Sequence, residues 1–124
     1  MAVTTMIHVQ LKRVHSPDVY DLEQHTSRDD EPFGILIQAM FGPRDNQGEE
    51  SFDFIACNPA WIDLEVKQRG FLNGRHHLIM PRFDLRTVVD FLEKTAEESA
   101  APDWEQVATK LSRVGLWEFE DYQT

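Results

Sequence analysis

The chain has 124 residues, and 22 Asp plus Glu against 12 Lys plus Arg leave a formal charge of −10 with histidine neutral. Hydrophobic residues at 41% and charged residues at 27%, with six Gly and six Pro, match ordinary globular chains and exclude a low-complexity or wholly disordered one. A chain of this length buries about two-thirds of its unfolded surface, so residues 1–124 are expected to form one domain whose core needs neither metal nor disulfide.

Residues 6–14 place Ile7, Val9 and Leu11 on one side and His8, Gln10 and Lys12 on the other, the two-residue period of a half-buried strand. Residues 16–32 hold Asp18, Asp21, Glu23, Asp29, Asp30 and Glu31 against Arg28, which predicts a solvated loop. Over 34–41 the apolar side chains are nearly continuous (Ile35, Leu36, Ile37, Ala39, Met40, Phe41), as in a central strand covered on both faces. A turn over 42–48, marked by Pro43, Asp45 and Asn46, leads to renewed alternation through Phe52, Phe54 and Ala56 over 51–57. These two segments are expected to pair as a hairpin.

Asn58 followed by Pro59 signals a helix start, because the amide caps and proline needs no partner for an N–H at the first helical position. A short helix over 59–69 is predicted, stopped by Gly70 and by Asn73-Gly74, with a strand over 75–80 after it. Asp84 opens a longer helix in which Leu85, Val88, Val89, Leu92 and Ala96 form one stripe. Asp103, with Gln106 three residues on, opens another whose face carries Trp104, Val107, Ala108, Leu111 and Val114, and Gly115 ends it. In the tail Trp117 and Phe119 alternate with Glu118 and Glu120, the pattern of an extended segment returning to the sheet edge. Strands first and helices mostly last make an α+β fold: a small, mainly antiparallel sheet packed by two C-terminal helices and one short helix.

The surplus of carboxylates works against nucleic-acid binding, which draws affinity from Lys and Arg on phosphates. A cationic protein partner is expected instead, with no direct contact to nucleic acid. No apolar run reaches the ~18 to 20 residues of a membrane helix, and the N-terminus lacks the layout of a secretion signal, so the cytoplasm is the expected compartment. His76 and His77 invite a metal or general-base reading, but neighbours on a strand point to opposite faces, and no Cys or second His stands at helical metal-pair spacing. Cys57, the single cysteine, suits a small buried hydrophobe at a strand end. Asp53 stands between Phe52 and Phe54 and faces away from both rings, either solvated or paired with an arginine. No catalytic residue, metal or cofactor is assigned; a small metal-dependent or His-based hydrolase around His76 or His77 with Asp53 is the alternative.

Charge is unevenly spread. Residues 45–65 carry Asp45, Glu49, Glu50, Asp53, Asp63 and Glu65 without Lys or Arg, whereas 66–82 carry Lys67, Arg69, Arg75 and Arg82 without Asp or Glu. The tail LWEFEDY (116–122) combines three aromatic anchors with three acids, a composition suited to a cationic protein surface.

Four segments in order, ESFDFIACNPAW (50–61), GRHHLIM (74–80), PDWEQVATKL (102–111) and WEFEDY (117–122), resemble immunity protein 8 of bacterial polymorphic toxin systems. The residues that carry the resemblance are Trp61, Gly74, Arg75, His76, Trp104, Trp117, Glu118, Phe119, Glu120, Asp121 and Tyr122. The resemblance implies an α+β cytoplasmic protein, encoded beside a toxin, that binds the toxin without catalysis and prevents self-intoxication. Combined with the charge pattern, it points to a toxin-binding surface drawn from Glu49, Glu50, Asp53, Asp63, Trp117, Glu118, Glu120, Asp121 and Tyr122. The matching toxin domain is expected to be basic, a nuclease being one class whose active site suits those carboxylates.

Overall fold

The computed structural model describes residues 5–27 and 31–120. In chain order these form β1 (Val9–His15), β2 (Gly34–Pro43), β3 (Glu50–Cys57), α1 (Pro59–Arg69), β4 (His77–Ile79), α2 (Leu85–Glu98), α3 (Trp104–Leu111) and β5 (Leu116–Trp117). The expected α+β architecture is what is found, a mainly antiparallel open sheet with helices, and the hairpin of β2 and β3 pairs from Phe41 with Glu50 to Gly34 with Cys57. No helix among the described residues is long and apolar enough to cross a membrane.

Alternation sorts the side chains of the hairpin. Ile35, Ile37, Ala39 and Phe41 of β2 and Phe52, Phe54 and Ala56 of β3 are buried, in one core with Val88, Leu92 and Ala96 of α2 and Val107, Ala108 and Leu111 of α3. The opposite side, with Leu36, Gln38, Met40, Ser51, Asp53 and Ile55, is only half-buried. The apolar run of β2 therefore does not mark coverage on both faces, as its composition suggested. Helices α2 and α3 pack on one side, and Gln38 interrupts the run on the other.

The first strand starts later than the alternation indicated. Ile7 leaves the sheet for a separate antiparallel bridge, its N–H donating to the Ala101 carbonyl at 2.8 Å. A register shift between Leu11 and Arg13 changes the phase of β1, so that Val14 as well as Leu11 reaches the core while Arg13 and His15 come opposite Met40 and Gln38. The strand expected over 75–80 is trimmed to three residues because His76 takes a left-handed backbone with φ 62°. Beyond β2, β3 is flanked by β4, parallel along Ile55 to Cys57, and by β5, antiparallel at Phe52 and Asp53.

Helix α1 has the expected bounds and an unusual relation to the body, since none of its residues is buried. Its first turn is what holds it. Asn58, itself buried, accepts at Oδ1 from Trp61 N at 3.0 Å and Phe33 N at 3.1 Å, and its amide donates to the Glu31 carbonyl at 2.8 Å. The Trp61 indole then lies against Gly34, where a Cβ would collide with the ring. Helix α3 ends at Leu111 with Ser112 as its cap, short of the stop expected at Gly115. Gly115 serves instead to let the backbone approach β3, since a Cβ there would stand 2.8 Å from the Phe52 carbonyl carbon.

Replacing Asn58 with Ala removes three hydrogen bonds and leaves two N–H groups without their acceptor. A loss of about 2–4 kcal/mol in urea unfolding is expected, more than an exposed helix cap is worth.

Candidate functional site

Of the acidic residues singled out in the sequence, Glu50, Asp53 and Glu118 come together where the last strand meets β3. Leu116 pairs with Asp53 and Trp117 with Phe52, and the Trp117 indole stacks on the Phe52 ring at 6.3 Å with planes 7° apart. The Phe119 ring meets that of Trp117 in a T-shaped contact at 5.9 Å. The Glu50 carboxylate accepts two indole N–H bonds, from Trp104 to Oε1 and from Trp117 to Oε2, each 2.7 Å. One half-buried carboxylate thus joins the start of α3 and the last strand to the start of β3. Charge patterning placed Glu50 on a docking surface; in the folded chain both its oxygens are engaged internally.

The other acids divide by partner. Glu49 pairs with Arg13 at 2.6 Å, Asp63 with Lys67 at 2.7 Å one turn along α1, and Glu120 with Arg75 at 3.3 Å. Asp63 thus belongs to α1 rather than to the seam of β3 and β5. Glu118 accepts from Ser51 N at 2.7 Å, while its own N–H donates to the Ser51 carbonyl at 3.1 Å. Asp121 and Tyr122 lie outside the described residues.

Asp53 sits on the half-buried side of the sheet, as its place between Phe52 and Phe54 predicts. Gln38 stands opposite it on β2, and His15 opposite Gln38 on β1. Neither Gln38 nor His15 was picked out from the sequence, because the signal is a cross-strand row that exists only once register is set. Asp53 Oδ1 and His15 Nδ1 are closed off from solvent and have no hydrogen-bond partner. Burial pushes the Asp53 carboxyl above the usual aspartate range, a hydrogen bond from Gln38 opposes this, the charge of Glu118 adds to the rise, and His15 offsets part of it.

The histidines serve the backbone. His76 Nε2 donates to the Ser112 carbonyl at 2.7 Å, and His77 Nδ1 to the Arg75 carbonyl at 2.8 Å with its ring 6.0 Å from that of Trp61. Cys57 is fully buried, and desolvation pushes its thiol up to about 11.

A family model for immunity protein 8 matches residues 9–122. The chain belongs to the immunity protein 8 family. The match takes in β1 and β2, well beyond the four segments from residue 50 onward that carried the resemblance. No curated protein and no solved structure matches the chain. In this immunity protein the sheet face turned away from α2 and α3 carries Asp53 and Glu118 with Gln38, His15 and the exposed Leu116, and the Trp61 indole packs on the same side over Gly34.

Two outcomes follow from these contacts. Glu50→Gln turns one acceptor oxygen into an NH2 group facing an indole N–H, and a loss of about 1–3 kcal/mol is expected in urea unfolding, with a shift in tryptophan emission. For Asp53 the raised folded pKa means that the fold takes up its proton at a higher pH than the unfolded chain. Ionised Asp53 therefore lowers stability at neutral pH, and its penalty fades as pH falls through the folded value. Asp53→Asn is expected to melt higher than the wild type at pH ~7 and to converge with it on acidification to pH ~4, as followed by thermal unfolding.

Proposed function

We propose that this protein is a cytoplasmic bacterial immunity protein that forms a noncatalytic complex with a cognate toxin domain and so neutralises it. The observation that carries this reading is the family match over residues 9–122. Exposed carboxylates such as Glu118 support the same reading, because they steer a basic partner and raise its rate of encounter. With a formal charge of −10, the whole chain adds a long-range field of the same sign. The toxin domain is accordingly basic, and a nuclease, whose active site must attract phosphate, fits that description.

Nanomolar binding corresponds to about −12 kcal/mol, which protein complexes reach through a few well-placed contacts. Mixing the purified protein with the toxin domain encoded beside it is expected to give one co-eluting complex at micromolar concentration and loss of toxin activity. Raising the salt is expected to slow association far more than dissociation. Separate elution, or undiminished toxin activity in the mixture, overturns the proposal.

A further inference from the structure

Helix α1 is held to the body by its first turn, and its outer side is open to solvent. Ala60, Leu64 and Lys67 stand four and three residues apart, so they share one face of the helix. Leu64 is 43% exposed, and Phe71, just past the Gly70 cap, is 72% exposed. At the other end of the helix, Pro59 and Ala60 line an apolar cleft of about 360 Å³ with Pro81 and with Ile79, which is 55% exposed. A ring that protrudes at one end of a helix and an apolar cleft at the other form more than scattered exposed residues, and such surface marks a contact with another protein. Charge runs along the same helix. Asp63 and Glu65 stand in its first half and Lys67 and Arg69 in its second, and residues 59–82 carry four Lys and Arg against two acids in a chain of formal charge −10. The basic toxin domain proposed above is repelled from this stretch, whereas an acidic chain such as this one is not.

We propose that two copies of this chain pair through α1 about a two-fold axis, with the two helices antiparallel. The spacing fits such an axis: when Leu64 of one copy lies against Lys67 of the other, Ala60 comes opposite Phe71, and the same contacts repeat across the axis. The 11 residues of α1 span about 16 Å, which carries the Phe71 ring of each copy to the cleft beside Ala60 and Ile79 of the other. The same arrangement sets the acidic half of each helix against the basic half of its partner. Asp63 and Lys67 pair at 2.7 Å within one helix, but both side chains are largely exposed and such a pair contributes little by itself. Both groups are therefore available to extend the pairing across the interface.

The test is sedimentation velocity of the full chain without toxin, from about 1 to about 100 μM, with thermal unfolding of each variant. The wild type is expected to shift reversibly from 14.4 kDa toward twice that mass as concentration rises. Phe71→Ser and Ile79→Ser replace exposed side chains, so both are expected to melt as the wild type does and to dimerise about tenfold or more weakly. Asp63→Lys and Lys67→Asp each set like charges against one another and are expected to be monomeric alone. An equal mixture of the two is expected to recover the dimer, which misfolding of either chain does not produce. A wild type that keeps the mass of one chain across the range overturns the proposal. If Phe71→Ser then also loses affinity for the toxin domain encoded beside this chain, the surface belongs to that partner instead. A dimer that Phe71→Ser and both charge variants leave intact overturns it as well, and so does a mixture that stays monomeric. Because the readout contains no toxin, failure here leaves the immunity function standing.

Discussion

The carboxylate of Glu50 receives one N–H from each of two indoles, and that shared acceptor fixes how the C-terminal third of the chain meets the sheet. Trp104 opens α3 and Trp117 belongs to β5, so one side chain on β3 sets the position of a helix and of the final strand. Bonds to an ionised acceptor are stronger than neutral ones, and two of them go far toward compensating a half-buried carboxylate for the water it has lost. The stack of Trp117 on Phe52 and the glycine contact at Gly115 then close the remaining gap. Because β5 is held in this register, Glu118 lies beside Ser51 and next to Asp53.

A second constraint is that α2 and α3 cover the same side of the sheet. The bulge in β1 keeps that side apolar by bringing Val14 inward and sending Arg13 and His15 to the other. The opposite, half-buried side thereby collects a row of polar groups across three strands, His15, Gln38 and Asp53, bordered by Leu116 and Glu118. In a small domain built around one core, such a face is where charge is carried at least cost to packing.

Net acidity alone describes this protein poorly. Several of the carboxylates singled out in the sequence are engaged inside the chain, by Arg13, Lys67 and Arg75 or by indole N–H groups, and the basic stretch 66–82 supplies two of those cations. Asp53 and Glu118 form no ion pair with a lysine or arginine among the described residues and are held instead by neutral donors, Gln38 and the Ser51 N–H.

Much of the fold was legible in local chemistry. Caps at Asn58, Asp84 and Asp103, the stripe from Leu85 to Ala96 and the alternation through Phe52, Phe54 and Ala56 are patterns within a few residues of one another, and the elements formed where they predicted. The orientation of Asp53 away from the phenylalanine rings and the return of the tail to the sheet were readable for the same reason. The trimming of β4 at His76, the late start of β1 and the one-sided burial of β2 were not, because each depends on what packs against the segment rather than on its own composition. The roles of the acids divide along the same line. Their presence near the last strand is a property of the chain, but Glu50 became a structural anchor and Asp53 an unpaired charge only when residues 54 to 67 positions apart were brought within hydrogen-bonding distance of β3. Long-range register, which no short stretch of residues encodes, made that distinction.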